Sequence, residues 1–291
     1  MLLGKGIKRR SFVSLFRIGH WTKNLLIFTP LVFSGNITKE NLLIRVFYAF
    51  VLFSLLASSV YVLNDVLDVK QDRMHKRKKE RPIASGVVSI GFALTCHILL
   101  LSVSLYGALT ILGFKIFLLF LVYYFGNIFY SLSIKTVPPL DIIVVSVFYL
   151  IRAVIGSVAI GVTASSWLLL TIFFGALYLV SIKRLSELTA IGIDGINTRV
   201  NIDDYTIPSL KKIGQITLTL TLGIYTIYAI SFPHYFALTV VPLAVIWMRL
   251  IMIQDSKLEL CEEPEKLLFK DKISLMFFFL WVLMVIIYHW K

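Results

Sequence analysis

Long apolar stretches, broken at regular intervals by short polar ones, set the organisation of this chain. Most of the stretches run close to 20 residues, the length an α-helix needs to cross a hydrocarbon layer of about 30 Å. Read in this way, spans lie at about 42–66, 87–109, 114–133, 139–161, 166–186, 212–231, 234–253 and 272–290. A shorter apolar core, Leu25 to Phe33, follows a basic start that carries Lys5, Lys8, Arg9, Arg10, Arg17 and Lys23. That layout is shared with signal peptides. No small-x-small cleavage site follows, however, and Phe12 to Phe16 is apolar too, so the segment reads as a retained first span, tilted or partly interfacial. The pattern predicts an all-α, polytopic membrane protein of about nine transmembrane helices. Pro138, Pro208, Pro233 and Pro242 fall near predicted helix starts or bends, where a missing N–H is tolerated.

Composition agrees with the pattern. The chain is 58% hydrophobic and only 15% charged, with a mean hydropathy of +0.86, whereas a soluble domain is about half apolar and about a quarter charged. The net charge is +13. Most of the Lys and Arg sit at the N-terminus, in the 67–86, 183–212 and 254–272 loops, and at Lys135. The connections near 36–41, 110–115, 161–165 and 232–234 are short and nearly uncharged. Basic loops stay on the cytoplasmic side, so the N-terminus and the motif loops are expected there, in the inner (cytoplasmic) membrane. Nine spans then place Lys291 outside, while eight or ten would set a basic loop on the wrong side. No low-complexity linker divides the chain, so residues 1–291 read as one transmembrane catalytic domain. The positive balance suits anionic lipid and phosphorylated substrates. It does not signal nucleic acid, because no binding module is visible and the basic residues lie in short inter-helix loops. Cys96 and Cys261 suggest neither a disulfide nor a metal site, and the His residues show no ligand spacing. Lys8, Arg10, Lys115, Lys257 and Lys266 read as snorkelling side chains.

Chemistry concentrates between Tyr61 and Gly86, where an apolar span ends in an acidic cluster and then a basic run. Asp65, Asp68 and Asp72 are spaced by three and four residues, which places them on one face of a helix, with Asn64 beside them. Three carboxylates on one face at a membrane surface repel one another and are costly to bury. A divalent cation offsets both costs, and Mg²⁺ prefers one or two carboxylates plus phosphate oxygens. The plain alternative is a helix end dissolving into a solvated charged loop. Other polar groups mark other span ends. Trp21-Thr-Lys23-Asn24 opens the first span, Tyr130 to Lys135 closes the fourth, and Lys183-Arg184-x-x-Glu187 closes the sixth. Asp141 and Arg152 lie within the fifth, about three turns apart. Lys183 and Glu187 also have the spacing of an ordinary i,i+4 ion pair. No Ser/His/Asp or Cys/His set accompanies them. Acidic groups beside fixed cations suit a reaction on phosphates.

The motif Asn64-Asp65-x-x-Asp68-x-x-x-Asp72, at the end of the second span, resembles that of the UbiA-type prenyltransferase superfamily. Further blocks resemble its decaprenyl-phosphate phosphoribosyltransferase branch: Arg17-x-x-x-Trp21-x-Lys23-Asn24, Asp72-Arg73-x-His75, and Arg81-Pro82-Ile83-Ala84-x-Gly86. The likeness continues in order through Tyr130 to Lys135, Asp141 with Arg152-Ala-x-x-Gly156, Lys183-Arg184-x-x-Glu187-Leu188, and Tyr205. It departs at Lys76, where the branch usually has proline, and in the Arg77-Lys78-Lys79 run that follows.

The resemblance implies a UbiA-like helical bundle with a polar pocket facing the cytoplasm. It also implies transfer of the 5-phosphoribosyl group of phosphoribosyl pyrophosphate to a polyprenyl phosphate, with Mg²⁺ and release of pyrophosphate. By it, Asn64, Asp65, Asp68 and Asp72 orient the metal and the pyrophosphate, and Arg73 and Arg81 contact the donor phosphates. Lys23, Lys135 and Arg152 neutralise phosphate, with Tyr130 and Asp141 in the same substrate-binding set. Lys183 and Arg184 hold the donor 5-phosphate or the lipid phosphate. Glu187 positions Lys183 or assists the metal, and Tyr205 closes over the donor. Two other readings stand beside this one. An aromatic prenyltransferase of the same superfamily needs a second Asp-rich site, and Asp194, Asp203 and Asp204 do not form one at helical spacing. A transporter or lipid-binding protein explains the spans and basic loops but not the acidic face next to Arg81.

Overall fold

The computed structural model describes residues 14–75, 78–194, 204–232, 235–264 and 267–290. Eleven α-helices follow in chain order, with no strand among the described residues. They are α1 (Thr29–Phe33), α2 (Glu40–Leu67), α3 (Val69–Met74), α4 (Ile90–Gly107), α5 (Phe114–Leu132), α6 (Leu140–Ile160), α7 (Ser166–Asp194), α8 (Ile207–Ile230), α9 (Val240–Ser256), α10 (Leu267–Lys270) and α11 (Lys272–Trp290). Among the described residues, 7 stretches are long and apolar enough to cross a membrane, and Lys272–Tyr288 is a shorter apolar helix. This is a multi-pass membrane protein, and the all-α expectation holds.

The helix edges have local causes. Ser89 caps α4, its hydroxyl accepting from the Phe92 N–H at 3.3 Å. Thr206 and Ser209 close a capping box at α8, with Pro208 in its first turn. The α8 start therefore lies five residues ahead of the point at which hydrophobicity begins. The first apolar segment is the larger departure. It is wound as a 3₁₀ helix from Ile18 to Phe28 and becomes α-helical only at Thr29–Phe33. A 3₁₀ run of this length is uncommon, and tertiary hydrogen bonds hold part of it. Trp21 Nε1 donates to Ser58 Oγ at 3.0 Å, and Asn24 Nδ2 donates to Ser54 Oγ at 2.9 Å. Pro233, Lys76, Arg77, Asp203, Lys8, Arg10, Lys266 and Lys291 lie outside the described residues.

The chain divides into two compact units. One comprises Met1–Leu25 and Phe47–Ser133, the other Leu26–Val46 and Ile134–Lys291. In the first, α2 carries a buried face of small and hydroxylated residues, including Ala49, Ser54, Ala57, Ser58 and Ser59. Ser104 of α4 donates to the Leu52 carbonyl at 2.8 Å, and a His97 ring nitrogen lies 3.0 Å from the Ser59 carbonyl oxygen. Lipid is as apolar as leucine, so such helices associate through close packing and hydrogen bonds rather than through water exclusion. The outward faces accordingly carry exposed Ile98, Leu99 and Val103.

The second unit is built around α6, whose buried face includes Ser146, Ala153, Gly156 and Ser157. Its far end is an aromatic cluster of Tyr225, Tyr228 and Phe236 with Phe33 and Trp281. There Trp281 Nε1 donates to Tyr225 Oη at 2.8 Å. At Gly156 the helix touches the first segment so closely that a Cβ would stand 2.0 Å from the Ile27 carbonyl oxygen and 3.2 Å from Pro30 Cδ. Backbone cannot step aside as a flexible side chain can. Gly156→Ala is therefore expected to cost at least about 1–3 kcal/mol, the range for overpacking. Gly223→Ala, exposed on α8 with nothing within 4 Å of the added carbon, is expected to be neutral or mildly stabilising. Thermal unfolding of the two variants in detergent checks this pair of outcomes, and equal midpoints would refute the close-contact argument.

Candidate functional site

The first unit gathers the acidic motif around two guanidinium groups. Asp65 lies on α2 and Asp72 on α3, both only 3% exposed. Arg81 Nη1 donates to Asp65 Oδ1 at 3.0 Å and to Asp72 Oδ2 at 2.7 Å. Arg17 Nη2 also donates to Asp65 Oδ1. Two buried carboxylates thus face two guanidinium groups, the balance that makes buried charge tolerable. The loop that delivers Arg81 is held from beneath. Ile83 sits in a core with Leu15, Val62, Val88 and Ala93, and Gly86 turns the chain at φ +78°, where a side chain would be strained. Arg73 Nε donates to the Ala84 carbonyl at 3.2 Å, so this residue organises the loop while its side chain reaches solvent.

The helix carrying the motif is not continuous. α2 ends at Leu67, and Asp68 occupies the junction with α3. The i→i−4 bonds run through it even so, from Asp68 N to Asn64 O at 2.9 Å and from Asp72 N to Asp68 O at 2.8 Å. Asp65 and Asp72, two turns apart, therefore keep a common face. Asp68 is half-buried and does not join them on Arg81. Asn64 Oδ1 accepts from Ser131 Oγ at 3.0 Å, which ties the motif to the end of α5 beside the half-buried Tyr130. Lys23 is half-buried on the 3₁₀ segment.

Arg17 is the residue for which sequence reasoning gave no role, although it opens a motif block. Its backbone is left-handed at φ +47°, rare for a residue with a side chain, and its guanidinium lies 4.9 Å from the centre of the Tyr61 ring. A strained backbone, an aromatic platform and a buried carboxylate partner mark it as part of the site.

The second unit holds a separate polar cluster around Arg184 of α7. Arg184 Nε donates to Asp141 Oδ2 at 2.9 Å, and Arg184 Nη1 donates to Glu187 Oε2 at 2.7 Å. Tyr205, from the segment before α8, donates its hydroxyl to Asp141 Oδ1 at 2.6 Å. Asp141 is 0% exposed with both oxygens engaged. It holds Arg184 and Tyr205 in place. Glu187 accepts from Arg184, a partner that sequence spacing did not assign to it. Lys183 and Lys135 are half-buried. Arg152 is buried in the middle of α6, with Nη1 turned onto the Phe148 carbonyl and the guanidinium 5.3 Å from the Tyr149 ring centre. At 1.5 Å per residue it stands roughly 16 Å along the helix from Asp141.

Among the described residues, no group of three or more His, Cys, Asp or Glu is arranged to hold a metal ion. A divalent cation therefore has a pair of carboxylates to use, not a cage. The ion pairs engage Oδ1 of Asp65 and Oδ2 of Asp72, so the other oxygen of each lies outside them. Two carboxylates supplemented by phosphate oxygens are the donor set Mg²⁺ takes in phosphate chemistry, and the residues fit that group.

Comparison with known proteins gives a family. The model of the UbiA prenyltransferase family matches residues 26–282. A decaprenyl-phosphate phosphoribosyltransferase from Mycobacterium tuberculosis is 34% identical over 93% of this chain and 91% of its own length. A protein of the same name from Mycolicibacterium smegmatis is 30% identical over 93% of this chain and 89% of its own. Among solved structures, a UbiA homolog from Archaeoglobus fulgidus bound to GPP and Mg²⁺ superposes with a TM-score of 0.67 at 19% identity. The match covers 95% of this chain and 99% of that one, and at that identity it speaks to the fold.

The Arg184 cluster is expected to behave as a buried ion pair. Asp141→Ala and Arg184→Ala each strand a charge, and each should destabilise by about 3–5 kcal/mol. The double variant should lose clearly less than the sum of the two. Unfolding midpoints of the three variants measure the coupling, and simple additivity would mean that the two groups do not depend on each other.

Proposed function

The chain belongs to the UbiA prenyltransferase family, and from that membership we propose that it transfers the 5-phosphoribosyl group of phosphoribosyl pyrophosphate to a polyprenyl phosphate of decaprenyl type, releasing pyrophosphate. In the reaction a phosphate oxygen of the lipid bonds to the anomeric carbon, and the bond from that carbon to the pyrophosphate oxygen breaks, its electron pair leaving with pyrophosphate. The lipid phosphate is already anionic, so no strong base is needed. That agrees with a site made of carboxylates and cations.

Roles follow from chemistry. Asp65 and Asp72 would hold a divalent ion, with Asp68 and Asn64 beside them. Bound there, Mg²⁺ supplies positive charge to the departing pyrophosphate. Arg81 and Arg17, already turned toward the carboxylates, offer guanidinium N–H groups to the same phosphates. Arg73, Lys23 and Tyr130 lie in this first unit's substrate set. In the second unit, Arg184 is the fixed cation for a phosphate of donor or acceptor. Asp141, Tyr205 and Glu187 set its orientation, and Lys183 and Lys135 add positive charge. Arg152 completes the set assigned to phosphate neutralisation. Both units serve one catalytic domain, and the loops that carry the motifs face the cytoplasm. Catalysis then rests on holding two like-charged substrates together and stabilising the leaving group.

The observation that carries this reading is Arg184, a buried guanidinium held by two carboxylates, one of them fixed in turn by a phenol, where an enzyme that grips one prenyl diphosphate between two acidic motifs would place aspartates. Two separate anionic substrates call for fixed cations.

The test is transfer of label from radiolabelled phosphoribosyl pyrophosphate into a lipid extract by the purified protein. Label should pass only with both Mg²⁺ and polyprenyl phosphate present. Asp65→Asn and Asp72→Asn, with unfolding midpoints confirming that they fold, should lower the rate by about 10²–10³-fold, the scale for a lost electrostatic contact in the transition state. Transfer from a prenyl diphosphate to an aromatic acid, with none from phosphoribosyl pyrophosphate, would overturn the assignment in favour of a prenyltransferase.

A further inference from the structure

In the second unit, where α9 ends and α11 begins, lies a cavity of about 290 Å³. Its walls include Arg249, Met252 and Lys257 at the end of α9, Leu260 of the 3₁₀ segment Leu258–Glu262, Lys270 at the end of α10, and Asp271 just before α11. None of Asp141, Lys183, Arg184, Glu187 or Tyr205 lines it.

Among the described residues that line this cavity, the charges do not cancel. Arg249 and Asp271 match each other, with Nη2 to Oδ1 at 2.6 Å and Nε to Oδ2 at 3.2 Å. The Ser274 backbone N–H and hydroxyl also donate to Asp271 Oδ2, at 2.9 and 2.7 Å. The Arg249 hydrogen bond above all, then the Ser274 donors, holds the Asp271 carboxyl well below the usual carboxylate range. This pair is therefore satisfied at neutral pH. Lys257 and Lys270 are exposed and have no ion-pair partner among the described residues. Two ammonium groups are left over, at the mouth of a cavity that already contains an ion pair.

The surroundings define the rest of the ligand. Met252, 59% exposed, is in the wall, and Met248, Ile273 and Met276 are exposed on the outer faces of α9 and α11. Apolar side chains outside a cationic hollow at a helix end match an amphiphile whose head carries phosphate and whose chains follow the helices. Basic hollows between membrane helices at headgroup depth take anionic lipids in this way. The volume is at the low end of the range for small-molecule pockets, about 300–1,000 Å³, enough for a phosphate and its glycerol rather than a nucleotide.

We infer that this cavity is a binding site for the headgroup of an anionic glycerophospholipid, with Lys257 and Lys270 on its phosphate and the acyl chains along α9 and α11. The wall also bears on α7. Ser186, between Arg184 and Glu187, donates to the carbonyl of Leu258 at 3.0 Å, so the lipid would brace the segment that supports the Arg184 cluster. The site itself does not depend on which reaction the protein performs.

The experiment follows the unfolding midpoint of the full-length protein in neutral detergent during titration with short-chain phosphatidylglycerol. Phosphatidylcholine and inorganic phosphate serve as parallel titrants. Phosphatidylglycerol should raise the midpoint saturably, and the other two should not. The double exchange Lys257→Gln/Lys270→Gln should shift half-saturation to roughly 10–30-fold higher lipid, and either single exchange to about fivefold higher, should the double variant fail to fold. Lys115→Gln, exposed at the start of α5, should leave half-saturation where it was. An unchanged half-saturation in the lysine variants would overturn the site. So would an equal response to phosphatidylcholine or inorganic phosphate, or an equal shift from Lys115→Gln, which would mean diffuse attraction to a basic protein.

Discussion

A charge buried near the end of a membrane helix has given up its water, so protein must pair it, and in this chain that requirement shapes the connections as much as the helices. Asp65 and Asp72 draw in Arg81 from a loop and Arg17 from a strained turn. Asp141 on α6 draws in Arg184 from α7 and Tyr205 from the segment ahead of α8. Arg249 on α9 meets Asp271 at the junction before α11. Removing one partner of a buried pair costs about 3–5 kcal/mol, whereas an ordinary hydrogen bond contributes about 0.5–1.5. Between spans that lipid solvates equally well in many arrangements, the charges decide how loop and helix end meet.

Packing supplies the complementary constraint. Since lipid offers no hydrophobic drive toward association, helices gain by approaching closely. The Ser and Ala face of α2 and the close contact at Gly156 both do this. The Trp21 and Asn24 hydrogen bonds to α2 serve the same end by another route, letting the 3₁₀ segment lie against a helix with these two polar side chains satisfied. Close approach then brings donors and acceptors within reach, so small residues and polar contacts occur together.

The spans were legible because hydropathy over about 20 residues is a strong signal, and the Asp65/Asp72 face followed from helical spacing alone. The 3₁₀ winding of Ile18–Phe28 was not legible. It depends on hydroxyls of α2 far along the chain, and no local pattern in the segment encodes them. Nor was the α8 start at Ile207, which Thr206 and Ser209 set ahead of the apolar run. At the site, residue types were legible and partnerships were not. Spacing offered Lys183 as a partner for Glu187, and the contact of Glu187 with Arg184 at i,i+3 was not foreseen. Arg17 was visible only as a member of a block, because its partner lies 48 residues away.

Position at a polar helix end does not distinguish an aspartate that binds from one that builds. Asp65, Asp72 and Asp141 are all buried acids beside an arginine. Asp141 spends both oxygens on protein donors, one on Arg184 and one on Tyr205. A fully buried carboxylate so committed would act on chemistry through the guanidinium it orients. Asp65 and Asp72 each use one oxygen in these ion pairs and keep the other outside them. That asymmetry within the carboxylate suits the proposed metal-binding role: one oxygen fixes the side chain, and the other would remain for an ion. The guanidinium groups on the first oxygen also reduce the repulsion between the two acids, and in the proposed reaction they would prepare the pair for a cation without taking its place.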